Sequence, residues 1–462
     1  MKIIENIIMK NVGKLPYERP FLKKLETGIP NKFGEQSQNA LTTHIEGIAV
    51  KKLLNEYGSP LFVLSEKEIS KTLQNAKLAF TSRYPKIQFA WPYKTNYLDA
   101  VCRLFHQQGS WAEVVSGFEY QKAIHNGVPG NKIIFNGPGK TELDLITAVE
   151  NESLIHIDNF EELDNIICIA KASNKNPKVA LRINMDAGIY PQWDRFGFNL
   201  ENGQSREAIH KIMLSKNLEL EGLHCHIGTF ILSTEVYAVA ARKLAELSLE
   251  IKNNYNYLIK YIDIGGGFAS KNTLKGSMQN GCDLCPDFDD YAEAISSAIL
   301  DSGLNTQELP LLILETGRAL IDEAGCLLGT VVANKRLANG KCATIIDIGV
   351  NLLFTSFWYE HKITPAQESS SFTEDTVVYG PLCMNIDTIR ENVNLPQLSK
   401  GNHVVIHHTG AYNMTQWLQF ITLRPKVVMI DTQGKVHIIR ENETTQSISY
   451  LERIPAHLDT VK

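Results

Sequence analysis

Between about residue 60 and residue 320 the chain repeats one pattern, a short apolar segment followed by an amphipathic stretch. The apolar segments read PLFVLS, IQFAWPYK, SWAEVV, KIIFNG, LIHID, VALRIN, LEGLHCHIG, YIDIGGG and LLILETG. Strands that are apolar on both faces need cover on both, and the amphipathic stretches supply it as helices around a parallel sheet. Eight or nine such units predict a closed (β/α)8 barrel of the TIM type, an α/β fold whose chemistry gathers at the C-terminal ends of its strands. After about residue 325 the texture becomes β-rich, as in GCLLGTVVANKRL, KCATIIDIGV and NHVVIHHTGAY, and the turn DTQGK between two apolar runs signals a hairpin. The expected division is an N-terminal extension over 1–44, the barrel over 45–322, and a C-terminal all-β barrel or sandwich over 323–462 that part of the N-terminal segment joins.

A chain of 462 residues suits two domains. Its formal charge of −5 gives no electrostatic reason to expect nucleic acid. No apolar run reaches the roughly 18 residues that span a bilayer, so a cytoplasmic protein without a membrane partner is expected. The eight cysteines are scattered, which suggests reduced thiols. Cys282 and Cys285 have CxxC spacing, but no second pair or nearby histidine completes a zinc site, and incidental loop cysteines are the expectation.

Several strand ends carry chemistry. Lys94 in FAWPYKTN sits at the rim of an apolar strand, where its charge must be paired or its pKa lowered, unless the side chain snorkels into water. Gly265, Gly266 and Gly267 end another strand, either as a tight turn or as a place where backbone N–H groups approach an anion. Glu315 and Arg318 in LETGRAL suit a ring nitrogen and a phosphate, or each other as an ion pair. GLHCHIGTF places His224 and His226 on one side of a strand, with Thr229 beyond; metal ligation, a structural pair and stacking on a planar cofactor are all open to them. Cys383 and Tyr412 follow glycine-containing turns in the second domain. A lysine, a glycine-rich loop, an Arg/Glu pair and a histidine together meet the requirements of pyridoxal 5'-phosphate, an aromatic aldehyde phosphate held through lysine, and no metal is called for.

The same segments, in the same order over about residues 45–450, resemble the fold-type III pyridoxal-phosphate decarboxylases, and within them the diaminopimelate decarboxylase branch. EGIAVKKLLNEYGSPLFVLSE resembles the family's opening and PYKTN its cofactor-lysine segment, while HCHIGT, DIGGGF, LETGR, YGPLCMNID and TGAYN match further signatures. The resemblance implies that Lys94 carries the cofactor, His226 stacks on its ring and Glu315 pairs with its nitrogen. It also implies that Gly265 to Gly267, Thr229, Arg318 and Tyr412 hold the phosphate. Cys383 would reach the site of a neighbouring subunit and take part in protonation, so a homodimer is implied.

Two positions depart from the branch. Met384 stands where it has a glutamate for the distal amino group, and Thr355 where it has an arginine for the distal carboxylate, although Tyr359 is kept. Losing the partner of a buried charge costs enough to exclude a substrate, so an amino acid other than diaminopimelate is expected. The N-terminal segment exceeds the family's usual start, which raises the prospect of a natural-product or siderophore-type pathway and of an amino acid bound to a carrier protein. The alternatives are diaminopimelate decarboxylase itself, a racemase of the same fold and a non-catalytic cofactor-binding regulator. Racemases resemble one another in setting an arginine against the ring nitrogen, and the regulators lack the β domain.

Overall fold

The computed structural model describes residues 41–189, 191–368 and 372–459. Residues 1–40 of the N-terminal extension lie outside the described residues.

Eight short strands pair in parallel with a neighbour on each side: Ile87–Pro92, Trp111–Val114, Ile133–Phe135, Leu154–Ile157, Lys178–Asn184, Glu219–His224, Tyr261–Asp263 and Leu311–Leu314. The last pairs back onto the first through Leu312 with Ile87 and Leu314 with Phe89, which closes the barrel. Helices fill the connections, several with side-chain caps: Ser116 accepts from the Glu119 N–H, and Thr141 and Asp144 form a capping box.

Alternation along these strands sorts the side chains into two populations. Outward residues such as Phe89, Trp91, Ile133, Phe135, Ile155 and Leu312 pack against the helices. Inward, Ala90, Ile134, Leu154, Ala180, Tyr261 and Ile313 form a separate small core within the barrel. Two residues further along seven of the eight strands the inward position turns polar: Glu113, Asn136, His156, Arg182, His224, Asp263 and Glu315 follow Trp111, Ile134, Leu154, Ala180, Gly222, Tyr261 and Ile313. A polar layer therefore caps an apolar one at the C-terminal end of the barrel. Gly222 makes room in the lower layer, since a Cβ there would lie 2.2 Å from the Tyr261 ring.

The second domain is built on Gly325–Arg336, which pairs with Cys342–Ile346, His403–His407 and Leu61–Ser65. The hairpin expected at DTQGK joins Val427–Ile430 to Val436–Arg440. PLFVLS corrects the sequence reading: Leu61–Ser65 is a strand of this second sheet, between Gly325–Arg336 and Val427–Ile430, and not of the barrel. All five of its residues are buried, and full burial in a mixed sheet leaves the same continuous apolar run as burial in a barrel.

His361 and His407 are held in this domain's interior. The His361 ring meets Thr355 Oγ1 at 2.8 Å and the His407 carbonyl at 3.1 Å. Burial pushes His361 down to about 3 and His407 down to about 4 from the usual 6.5. Both are neutral when folded and take up a proton on unfolding, so their contribution is complete above about pH 6.5 and is lost as pH falls toward their folded values. Thermal midpoints taken from about pH 7 to about pH 4 will fall by the equivalent of up to roughly 1.4 kcal/mol per pH unit per histidine, and His361→Gln will flatten that decline.

Candidate active site

The polar layer of the barrel opens into a cavity of about 790 Å³ that the second domain helps to wall. Its lining includes Lys94, Glu113, Asn136, Arg182, His224, His226, Glu315 and Arg318 from the barrel, with Trp358, Tyr359 and Tyr412 from beyond it.

Lys94 stands just past the first barrel strand, where Thr95 N–H turns back to the Pro92 carbonyl. The second domain fixes this turn: Tyr412 N–H donates to the Thr95 carbonyl at 2.8 Å and Thr415 Oγ1 to the Lys94 carbonyl at 2.9 Å. The Lys94 ammonium is ion-paired with Glu113. One amide then ties this pair to the next carboxylate, because Asn136 Nδ2 donates to Glu113 Oε1 at 3.1 Å and to Glu315 Oε1 at 2.5 Å. His224 Nε2 lies 3.6 Å from Glu315 Oε2.

Burial sets the protonation states. It works against the Lys94 ammonium, yet Glu113 and Glu315 outweigh it and hold this lysine above its ordinary range. The Glu113 carboxyl is pushed up by burial although Lys94 pulls it back. Burial takes His224 and His226 well below the usual imidazole value, so both rings are neutral. Asp263 is raised well above the carboxylate range by burial and by Glu315 beside it. Nitrogen or oxygen atoms, one each from His156, His224, Asp263 and Glu315, lie within 4.8 Å of one another, a buried polar cluster around Glu315. His226 is not part of that cluster, so the pairing of His224 with His226 as metal ligands is not what the fold brings together.

Gly266 N–H donates to His226 Nδ1 at 3.0 Å, which leaves the ring proton on Nε2, and Trp193 lies against the ring at 5.2 Å between centroids. Arg318 Nη2 donates to Thr229 Oγ1 at 3.0 Å, and its guanidinium is caged by Tyr412, Phe230 and Tyr359 at 4.7, 5.4 and 5.5 Å. Its Nη1 is buried without a partner among the described residues.

Two glycines of the triplet, Gly265 and Gly266, play a different part from anion binding. Gly265 N–H donates to Asp263 Oδ1 and Gly266 N–H to His226, so neither amide is free for an anion. Glycine is required there because a Cβ would lie 2.6 Å from the Cys225 carbonyl at Gly265 and 2.3 Å from the Glu315 carbonyl at Gly266. Thr355 is also corrected: it is buried, its hydroxyl bonded to Asn413 and His361, and it does not line the cavity. Tyr359 does. Cys383 is exposed and Met384 half-buried, and neither lines the cavity of its own chain. Glu113, Asn136, Arg182 and Trp193 were missed in the sequence; for the first three the signal was available, a polar residue two places after an inward apolar one.

A guanidinium nitrogen without a partner calls for an anion, Glu315 for a protonated ring nitrogen, and Lys94 for a carbonyl. Pyridoxal phosphate offers all three, and the fold and site define an enzyme that depends on it. Comparison with known proteins narrows the class. Residues 49–322 match the family model described as pyridoxal-dependent decarboxylase, pyridoxal binding domain, and the chain belongs to that family of carboxy-lyases. It is 28% identical over 425 residues to the diaminopimelate decarboxylase of Bacillus subtilis (strain 168), covering 88% of this chain and 95% of the relative. The diaminopimelate decarboxylase of Methanocaldococcus jannaschii is 30% identical over 431 residues, covering 90% and 95%. The crystal structure of the M. jannaschii enzyme superposes with a TM-score of 0.82 at 29% identity, over 90% of this chain and 96% of that one.

Asn136→Ala, which removes the one amide shared by two buried carboxylates, will cost about 2 to 4 kcal/mol of folding stability in urea denaturation and weaken retention of the cofactor.

Proposed function

We propose that the enzyme releases the α-carboxylate, as CO₂, from an amino acid whose distal end differs from that of meso-diaminopimelate. The observation that carries this reading is the cavity's own acid content. Among the described residues its lining carboxylates are Glu113 and Glu315, both engaged, so no lining carboxylate of this chain is left for a distal ammonium. Thr355, turned into the interior, offers nothing to a distal carboxylate, and Met384 cannot replace a glutamate.

Pyridoxal phosphate, when bound, supplies the ring that accepts the electron pair left by the departing CO₂. The chain's residues make that ring effective. Glu315, steadied by Asn136, holds the proton on the ring nitrogen, while the neutral imidazole of His226 covers a face without adding charge. Thr229, Gly267, Arg318 and Tyr412 would hold the phosphate. Lys94 would hold the aldehyde, and Glu113, raised by burial and paired with its ammonium, is placed to take a proton from it. Trp193, Phe196 and Trp358 exclude water from the reacting carbon.

Cys383 delivers its thiol to the site of a second copy, which makes the working unit a homodimer. Its exposure and the apolar surface near it support this: Val350 N–H holds Asp387 and Asn351 holds Phe420, which brings exposed Ile386 toward exposed Leu418, Phe420 and Ile421. The eight free cysteines support a cytoplasmic location. Among the described residues no helix is long and apolar enough to cross a membrane.

A second reading is diaminopimelate decarboxylase itself, favoured by the name of the B. subtilis relative and by the M. jannaschii diaminopimelate decarboxylase, solved in complex with L-lysine. CO₂ release across a panel of amino acids, read beside the visible absorbance of the bound cofactor, separates the two. The expected result is CO₂ from an amino acid other than meso-diaminopimelate, and neither absorbance band nor CO₂ from Lys94→Ala. Lysine formed from meso-diaminopimelate at an ordinary efficiency, about 10⁴ M⁻¹s⁻¹ or more, establishes the second reading instead. An intact band with every free amino acid silent points to a substrate tethered to a carrier. Mixing the Lys94→Ala and Cys383→Ala proteins will restore about a quarter of wild-type activity, because one site in each mixed dimer then carries both groups.

A further inference from the structure

We infer that Lys275 reads an anion at the far end of the substrate, which makes the substrate class an α-amino acid with a distal carboxylate and no distal ammonium. This inference rests on the decarboxylase reading above and names the substrate of that same site.

The cavity is lined by four Lys or Arg side chains, Lys94, Arg182, Lys275 and Arg318. Three of them have protein partners. Lys94 is paired with Glu113, and Arg182 lies 3.8 Å from Asp158 and stacks over Phe196 at 4.4 Å. Arg318 is held by Thr229 and its ring cage, and its Nη1, buried and without a partner among the described residues, would serve the cofactor's phosphate. The Lys275 ammonium has no hydrogen bond or ion pair among the described residues, although its backbone is firmly placed.

That backbone belongs to a seam between the two sheets. Leu274 forms an antiparallel bridge with Tyr359; Lys275 N–H donates to the Trp358 carbonyl at 2.9 Å, and Glu360 N–H to the Thr273 carbonyl at 2.8 Å. Lys271 and Glu323 anchor the start of the loop at 2.9 Å, and Thr273 Oγ1 accepts from Gly281 N–H at its end. Lys275 is thus an exposed lysine whose backbone is held at the cavity rim.

Between it and the polar layer the wall is apolar: Phe230, Leu274, Phe357, Trp358 and Tyr359. Methylene groups pack against such rings, and an ammonium among them has no carboxylate to meet. An anion that passes the rings reaches Lys275, whose exposed ammonium attracts it across a short stretch of solvent. The apolar corridor and the cation at its end together select length and charge.

The test uses holoenzyme and three seven-carbon 2-amino acids, each in D and L form, that differ only at the far end: 2-aminopimelate with a carboxylate, 2-aminoheptanoate with a methyl, and 2,7-diaminoheptanoate with an ammonium. In wild type the carboxylate compound will half-saturate the enzyme at a concentration about tenfold below that needed for the methyl compound, with the ammonium compound weakest. The ratio will collapse toward one in Lys275→Ala, persist in Lys275→Arg, and invert in favour of the ammonium compound in Lys275→Glu. Equal values for the carboxylate and methyl compounds in wild type, or a ratio that survives Lys275→Ala, overturns the inference. Dissociation constants from the change in cofactor absorbance on adding each compound are read alongside. If these show the Lys275-dependent ratio while no compound releases CO₂, the reading of a free amino acid as substrate fails and the Lys275 assignment stands; if they show no ratio, the assignment fails whatever the chemistry.

Discussion

The structure depends on a period of two repeated around eight parallel strands. Each strand turns one side chain inward at every second residue, and barrel closure makes all the inward positions share one interior. Because seven strands place an apolar residue inward and a polar one two places on, the interior separates into a filled apolar layer and a polar layer above it. No residue of that polar layer has to be carried in by a flexible loop. Glu113, Asn136, His224 and Glu315 inherit their positions from hydrogen-bonded strands whose undersides are packed, a firmer support than loops provide.

Gathering these groups in a dry interior creates an electrostatic problem that shapes the site. Three carboxyls, of Glu113, Asp263 and Glu315, stand near one lysine. The protein's own groups offset the excess: Asp263 is kept protonated, the neighbouring histidines are kept neutral, and Asn136 gives its two amide hydrogens to the two remaining carboxylates. The outcome is one ion pair at Lys94 and one carboxylate at Glu315, with the same amide bridging them. A change at either carboxylate is therefore felt at the other through Asn136, and Lys94, paired with Glu113, is coupled to Glu315 by the same amide.

Much of this was legible in the sequence, and what was not has definite physical causes. Alternating apolar segments gave the barrel and the change of texture near residue 325 gave the second domain. The single misplaced strand, Leu61–Ser65, shows the limit of periodicity: a segment buried on both faces carries no mark of which sheet buries it. The motif residues Lys94, His226, Thr229, Glu315, Arg318, Tyr359 and Tyr412 all come to one cavity. The glycine triplet was correctly placed but misread in part, because glycine permits close approach of any backbone, and here the backbones are the protein's own. Thr355 misled for a related reason. A short hydroxyl side chain reads the same in sequence whether it faces a ligand or, as here, the interior bonds of Asn413 and His361.

The second domain explains why a barrel with a common polar layer need not serve a common substrate. It reaches the site by two routes, Tyr412 and Thr415 bonded to the turn that carries Lys94, and Trp358 to Glu360 stitched to the barrel loop around Lys275. The first route acts on the groups that hold the cofactor, so variation there would disturb the reaction itself. The second acts on the rim, well removed from the bonds that break, where a side chain can change without altering the charge balance around Asn136. The two routes leave the polar layer under the barrel's packing and set Lys275 and Trp358 on a seam whose backbone is fixed. The aromatic corridor and the unpaired ammonium lie on the second route, which is where a chain of this family would register a change of substrate first.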